Sequence, residues 1–176
     1  MRFGQIIIQY NFSQRVDYLL ETLRISGKLL DSSMLIEGVT SGEFEDTALA
    51  FQKDLTIISD TPKSYLATSL YPPKKRERFD SRLSTLSKWG DVLCFHVDDT
   101  SGTAGFAYYQ KGIKIRTSLI EGEEIILSEG SPLPEEKENT PIDAIFVLAA
   151  RQLGMPYDQY FQTYSPEFRI YEREGF

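Results

Sequence analysis

A period of two between apolar and polar side chains marks residues 92–128 as a set of strands. Apolar side chains occupy alternate positions in the first of them, beginning at Leu93. Gly112 and Gly122 supply tight turns, because glycine adopts positive φ without strain. The strands predicted after the first cover residues 104–110, 113–120 and 124–127. Strands joined this closely form an antiparallel meander, since parallel strands need connections of about a dozen residues or more.

Helical periodicity appears in four other places. Ser13 is predicted to cap the first helix and Asp80 the second. Thr140 at the N-cap, with Pro141 at the first helical position, starts the third helix. The fourth is predicted over residues 157–164, where aromatic side chains recur at helical spacing.

Three further apolar runs predict buried strands, and they cover residues 5–12, 55–59 and 65–70. A turn around Pro62 is predicted to join the last two as a hairpin. Residues 28–52 show no clear period, and a short helix over 44–52 is one interpretation of them.

The segment 130–136 contains two prolines and is predicted to be an extended linker, because proline disfavours both helix and central strand. Strands and helices in this arrangement indicate the α+β class. We therefore predict a single domain over residues 1–176, in which helices pack on an antiparallel meander sheet.

Composition narrows the class of protein. The 176 residues include one cysteine, Cys94, so that an intramolecular disulfide is excluded. No apolar run approaches the length of about 20 residues that spans a bilayer, and the N-terminus lacks the pattern of a signal peptide. The sequence therefore predicts no membrane association and, by default, a cytoplasmic location.

The charge is unevenly distributed. The net charge is −7, and residues 91–176 carry 15 acidic against 7 basic side chains, whereas residues 1–90 are nearly balanced. An acidic half repels phosphate backbones, which argues against nucleic acid as a partner. It favours a basic protein as partner, because complementary charge raises the association rate and the selectivity.

The acidic side chains concentrate around the predicted turns and linker. Glu121, Glu123 and Glu124 flank one turn, and Glu136 ends the linker. A solvated acidic face explains them without a function, and a docking surface for a basic protein is the functional interpretation. Tyr109 joins this candidate binding set, because Tyr108 and Tyr109 point to opposite faces of a strand and an exposed tyrosine is a good binding anchor. Packing in the core is the other interpretation of these tyrosines, and it is the favoured one.

Enzymatic chemistry has one candidate. His96 is the only histidine, and with Asp98 and Asp99 it offers three metal-ligand types at the end of one strand. A metal-dependent hydrolase built on these residues is the alternative function. Phosphate-binding, dinucleotide-binding and zinc-protease motifs are absent from the sequence, so we expect no cofactor.

Two segments resemble a known family. Tyr109 to Arg116 reads Y-x-x-G-x-x-x-R, and Gly130 to Glu136 reads G-x-P-L-P-x-E. This combination is similar to bacterial domains of unknown function, some of which look like immunity proteins of toxin systems. Ser69-Leu-Tyr-Pro-Pro73 follows the same pattern. The resemblance implies an α+β fold, and it implies no known activity.

The same residues raise a structural hypothesis. Arg116 lies in a predicted strand near the linker, and Glu136 could reach it to pin the linker to the sheet through a charge-assisted hydrogen bond. Taken together, the sequence predicts a non-enzymatic protein-binding module, with immunity-like neutralisation of a toxin as its most concrete form. A homodimer formed through exposed tyrosines is a third possibility.

Overall fold

The computed structural model describes residues 2–40, 46–59 and 73–172. Its strands are β1 (Arg2–Ile8), β2 (Leu29–Met34), β3 (Thr47–Gln52), β4 (Leu55–Ser59), β5 (Val92–Asp98), β6 (Thr103–Gln110), β7 (Ile113–Glu121), β8 (Glu124–Glu129) and β9 (Phe168–Tyr171). Its α-helices are α1 (Val16–Leu23), α2 (Ile36–Thr40), α3 (Pro73–Leu86), α4 (Pro134–Lys137), α5 (Pro141–Leu153) and α6 (Tyr157–Tyr164). The fold is α+β, as the sequence predicted.

The nine strands of the described residues form one antiparallel sheet in the order β2-β9-β3-β4-β1-β5-β6-β7-β8. The predicted meander is confirmed as β5 to β8, and it makes up one side of the sheet. Both of its last two turns have glycine at positive φ, with φ 82° at Gly112 and 60° at Gly122. The short turns fix the register and leave β8 as the outer strand of this side.

Helices cover both faces of the sheet. Tyr109 donates a hydrogen bond to Asp80 of α3, whereas Tyr108 lies near Gln152 of α5, so that α3 and α5 pack on opposite faces. Leu83 and Leu86 bury one side of α3, and Leu148 and Ala149 bury one side of α5. The central strands are therefore apolar at consecutive positions, as is typical of a sheet with both faces covered by other elements.

The helix starts differ from the prediction in two places. Ser13 does not cap α1: it lies in a 3₁₀ turn (Phe12–Gln14) that is capped by Asn11, and α1 begins after Arg15. Asp80 does not cap α3, because that helix begins seven residues earlier, at Pro73. The carboxylate of Asp80 instead accepts hydrogen bonds from Tyr109 and Lys114, so a local capping signal was in fact a tertiary contact.

The prediction was also wrong over part of the first half. Residues 47–52 form β3 and not a helix, and β3 pairs with β4 through a turn in which Lys53 has φ 51°. The predicted strand over 65–70 and the turn at Pro62 lie outside the described residues. At the other end of the chain, β9 was not predicted, and it lies between β2 and β3 in the sheet.

The predicted helices α5 and α6 are confirmed. Thr140 accepts a hydrogen bond from the Asp143 amide at the N-terminus of α5, and Gly154 ends that helix with φ 78°. The segment 130–136 is not entirely extended, because Pro134 starts the one-turn helix α4. Within the described part of the chain, none of the helices has the length and apolar character required to span a membrane.

Candidate partner-binding surface

Arg116 and Glu136 form the contact that the sequence predicted. The Arg116 guanidinium donates to both carboxylate oxygens of Glu136, at 2.8 Å to Oε1 and 3.0 Å to Oε2. The same guanidinium donates to Ser128 Oγ and to the carbonyl oxygens of Glu129 and Gly130, at 2.8, 3.1 and 3.1 Å. We call this arrangement the clip, because it ties the end of β8 and the helix α4 to β7.

The clip is almost closed to solvent. The side chain of Arg116 is 5% exposed and that of Glu136 is 14% exposed. The second oxygen of Glu136 also accepts a hydrogen bond from the Leu133 amide at 2.6 Å. Because both charges are paired and bonded on several sides, the cost of burying them is compensated. The clip therefore holds the linker, and neither side chain is displayed to a partner.

Two more carboxylates of the acidic half are paired within the fold. Lys114 contacts Glu129 at 2.6 Å and Asp80 at 2.9 Å, and Arg151 contacts Glu135. Burial lowers the pKa of the Lys114 ammonium, but hydrogen bonds to both carboxylates outweigh burial and raise that pKa above its usual value. Glu129 thus links β8 to β7, Glu135 links α4 to α5, and Asp80 links α3 to the sheet.

Exposed acidic side chains of two neighbouring turns lie at one corner of the sheet. Glu121, Glu123 and Glu124 are exposed, and none of them forms an ion pair with any described residue. The Gly122 amide donates to the Gly102 carbonyl oxygen at 3.1 Å, which brings the β5–β6 loop and its exposed Asp99 beside the β7–β8 turn. We call Asp99, Glu121, Glu123 and Glu124 the acidic corner.

Exposed apolar side chains border the acidic corner. Ile125 and Ile126 of β8 are 70% and 43% exposed. The register pairs Ile125 with Ile120, and paired side chains lie on the same face of an antiparallel sheet. In the sequence both isoleucines are ordinary strand residues, because a strand pattern does not reveal which strand is at the edge of the sheet.

A cavity of about 100 Å³ lies on the same face as Ile120, between the sheet and the start of α5. Its apolar lining comes from both sides, with Phe106 and Ile120 on the sheet and Ile145 on α5. Asn139 and Pro141 also line it and are exposed, so the cavity opens to solvent. We call the cavity, together with Ile120 and Ile125, the β7–β8 groove.

The other proposed site residues are buried. Tyr109 is 0% exposed and donates its hydroxyl hydrogen bond to Asp80 at 2.5 Å; Tyr108 is 3% exposed and bonds Asp91 at 2.7 Å. The expectation of an exposed tyrosine on the sheet is therefore wrong, because helices cover both faces. Burial and the hydrogen bond to Asp91 raise the pKa of the Tyr108 hydroxyl.

His96, Asp98 and Asp99 do not form a ligand set. His96 is 2% exposed and lies opposite Gly4 and Gly105 in the neighbouring strands. The Asp98 carboxylate instead accepts the Thr100 amide of the following turn at 3.0 Å. Among residues 2–40, 46–59 and 73–172, no three His, Cys, Asp or Glu side chains are placed to hold a metal ion. The arrangement does not support the hydrolase alternative.

The sequence signals for this surface were incomplete. The clip and the hairpin glutamates were visible as motif and composition, whereas the cavity joins residues from β6, β7 and α5 that are far apart along the chain. Comparison with known proteins adds no assignment: no family model, no curated protein and no solved structure matches the chain.

Proposed function

We propose that the protein is a non-enzymatic binding module that docks a basic protein at the acidic corner. The observation that carries this proposal is the division of the glutamates. Glu129, Glu135 and Glu136 are paired with cations of the fold, whereas Glu121, Glu123 and Glu124 are exposed without an ion pair among the described residues. A partner's lysines and arginines would complete the second set.

The placement of two of these glutamates has a cost. Glu121 and Glu124 are direct partners in the β7–β8 register. Like charges opposite each other in an antiparallel pair destabilise it by roughly 0.2–1 kcal/mol. A lysine at either position would remove that repulsion. A docking surface for a basic partner accounts for an acidic pair at this place.

Charge of this kind acts on association more than on final affinity. Exposed charges are screened over about 8 Å at physiological ionic strength, so the attraction weakens as salt is raised. Complementary charge raises association rates and excludes acidic competitors. The most concrete form of the function is immunity-like: the acidic corner occupies a basic surface of a cytoplasmic toxin and blocks it. The resemblance of the hairpin and linker to immunity-like proteins supports this form.

A pull-down from source-cell lysate, at low and moderate salt with mass spectrometry as readout, tests the proposal. The test variant reverses three charges, as Glu121→Lys, Glu123→Lys and Glu124→Lys. A matched control makes the same net change at exposed acidic residues of other elements: Glu21→Lys, Asp54→Lys and Glu167→Lys.

We expect a stoichiometric basic partner that the native protein and the control retain at low salt. Moderate salt should release it, and the test variant should lose it. Equal retention by the test variant and the control would contradict the acidic corner as the docking site. The absence of any stoichiometric partner would contradict the binding module itself.

A further inference from the structure

We propose that Arg24, Arg78 and Arg82 bind a small phosphate ligand at the place where the end of α1 meets α3. We call these three residues the arginine cluster. The inference goes beyond the proposed function and does not rest on it, because α1 and α3 contribute nothing to the acidic corner. It is carried by three guanidinium groups that the fold brings together without carboxylate partners.

Two packed helices bring the arginine cluster together. Arg78 and Arg82 are four positions apart on α3, and side chains at that spacing are neighbours on a helix surface. The Arg82 guanidinium donates to the carbonyl oxygen of Leu23 in α1 at 3.4 Å, although the two residues are 59 positions apart along the chain. Arg24 follows Leu23 directly, as the C-cap of α1. Arg24 and Arg78 are exposed and Arg82 is half-buried, so a ligand can reach the cluster from solvent.

The positive charge of the cluster is not balanced within the fold. None of its arginines forms an ion pair with a described residue. Burial lowers the pKa of the Arg82 guanidinium, and the positive charges of Arg24 and Arg78 lower it further. A helix C-terminus carries only about half a negative charge, so the end of α1 compensates a fraction of the three guanidinium groups. An anion with roughly two negative charges would compensate the remainder.

The backbone of Arg24 provides a second observation. It has φ 58° and ψ 44°, which is the left-handed conformation. The Arg24 amide donates to the Glu21 carbonyl oxygen at 3.2 Å and the Ile25 amide to that of Leu20 at 2.9 Å, a helix end at which glycine is the usual residue. A side chain strains the backbone there, and such strain is concentrated at functional sites. An arginine at this strained position, beside two like charges, is accounted for if its side chain binds a ligand.

The number and chemistry of the cations select a small phosphate. Guanidinium groups bond oxyanions through two parallel hydrogen bonds. A phosphate group carries a charge of about −1.5 to −2 at pH 7 and can accept from several arginines at once, whereas a carboxylate carries one charge on two oxygens. A nucleic acid is held by on the order of 6–10 phosphate contacts. The cluster offers three arginines and the exposed Lys74, one turn before Arg78, which is too few for a polymer.

Nuclear magnetic resonance titration of the full chain tests the site. The probes are inorganic phosphate, acetate and a short oligodeoxythymidylate, each added at constant ionic strength with sodium chloride as the balancing salt. We expect phosphate to shift the amide signals of Arg24, Ile25 and Arg82 and to bind at least about tenfold more tightly than acetate, since one more charge-assisted hydrogen bond is formed.

Glycine substitutions separate binding from folding. Arg24→Gly removes one cation and relieves the positive φ. Lys111→Gly is the matched control, because Lys111 is an exposed cation with φ 50° in the β6–β7 turn. Both variants should melt no lower than the native protein, but only Arg24→Gly should weaken phosphate binding, by about tenfold or more. Arg78→Gln, at an exposed helix position, should weaken it by a similar factor and keeps the test open if Arg24→Gly does not fold.

The contrary outcomes are equally defined. Native affinity for phosphate in both Arg24→Gly and Arg78→Gln, or an equal loss in Lys111→Gly, overturns the arginine cluster as the site. Equal binding of acetate and phosphate overturns the choice of ligand. If the oligodeoxythymidylate binds more tightly than phosphate and loses affinity in the same variants, the cluster belongs to a nucleic-acid surface and the small ligand is overturned. The lysate experiment on the acidic corner decides the proposed function independently of all of these results.

Discussion

Replacing Arg116 by methionine should destabilise the fold more than the removal of an exposed surface charge does. The guanidinium contacts five acceptor atoms, on Glu136, Ser128, Glu129 and Gly130. Methionine keeps much of the apolar stem, but the Glu136 carboxylate is then left with one amide donor, from Leu133. Breaking a buried ion pair from one side costs about 3–5 kcal/mol.

The loss should be visible as a shift in melting temperature. At this chain length a destabilisation of 1 kcal/mol lowers the melting temperature by about 2–4 °C, so Arg116→Met should lower it by roughly 6–20 °C. Urea unfolding at about pH 7, followed by circular dichroism, gives the free energy directly. Limited proteolysis should at the same time show faster cleavage within residues 130–139, because the linker loses its attachment to the sheet.

Two controls separate the clip from a generic effect of charge. Lys28→Met breaks the exposed pair with Glu172, whose side chains are 64% and 46% exposed, and should cost less than about 1 kcal/mol. The double variant Arg116→Met with Glu136→Met leaves no buried charge unpaired and should recover part of the loss. The reasoning would be refuted if the free energy of unfolding of Arg116→Met lay within about 1 kcal/mol of that of the native protein. It would also be refuted if the double variant were no more stable than Arg116→Met alone.

Three further changes have defined outcomes. Gly130→Ala should lower the free energy of unfolding in urea by at least about 2 kcal/mol more than Gly122→Ala does. Both glycines have positive φ, so the backbone strain is similar, but only the new Cβ at Gly130 would meet a β7 carbonyl oxygen, at 2.1 Å. Glu124→Gln should raise the free energy of unfolding by a few tenths of a kcal/mol, since it removes a like-charge pair, while it weakens partner capture. Burial raises the pKa of the Tyr160 hydroxyl from 10.0 in the unfolded chain to about 12 in the fold. The stability that depends on a neutral Tyr160 is therefore complete below about pH 10 and is lost as the pH rises through about 12. Urea midpoints at about pH 9 and about pH 11 check this sign.

The parts of the fold that could be predicted are those with local signals. Strands β5 to β8 show alternation and turn glycines, and α5 has a capping threonine, a first-position proline and a terminal glycine in the expected order. Each feature acts within a few residues, so the sequence states it directly. The clip was also within reach, because Arg116 and Glu136 are 20 residues apart and the turns between them are short.

The remainder depended on contacts that are distant along the chain. Strand β9 pairs with β2 and β3, more than 110 residues earlier in the chain, and no local pattern in four residues indicates that position. Residues 47–52 became a strand because β4 and β9 flank them. Tyr109 was kept as a candidate binding residue beside the favoured interpretation of core packing, because the sequence does not show that helices cover both faces of the sheet.

For the candidate site, the sequence identified the acidic residues but not their roles. Pairing with Arg116 removes Glu136 from the candidate set, while Glu129 and Glu135 pair with Lys114 and Arg151, and only distances between side chains reveal the last two pairs. The cavity was invisible for the same reason, since β6, β7 and α5 meet there only in the folded chain. Composition therefore led to the proposal of a basic partner, and the structure limits the exposed glutamates of the candidate set to one corner.

The clip and the acidic corner explain each other's position. Strand β8 is the last strand of the sheet, and its turn places two glutamates opposite each other, which weakens the β7–β8 pairing. Arg116 counteracts that weakness at the far end of the same hairpin, because it bonds Ser128, Glu129 and Gly130 where β8 ends. Under the proposed function, binding of a basic partner requires both features, since the carboxylates must remain exposed while their strand remains in register.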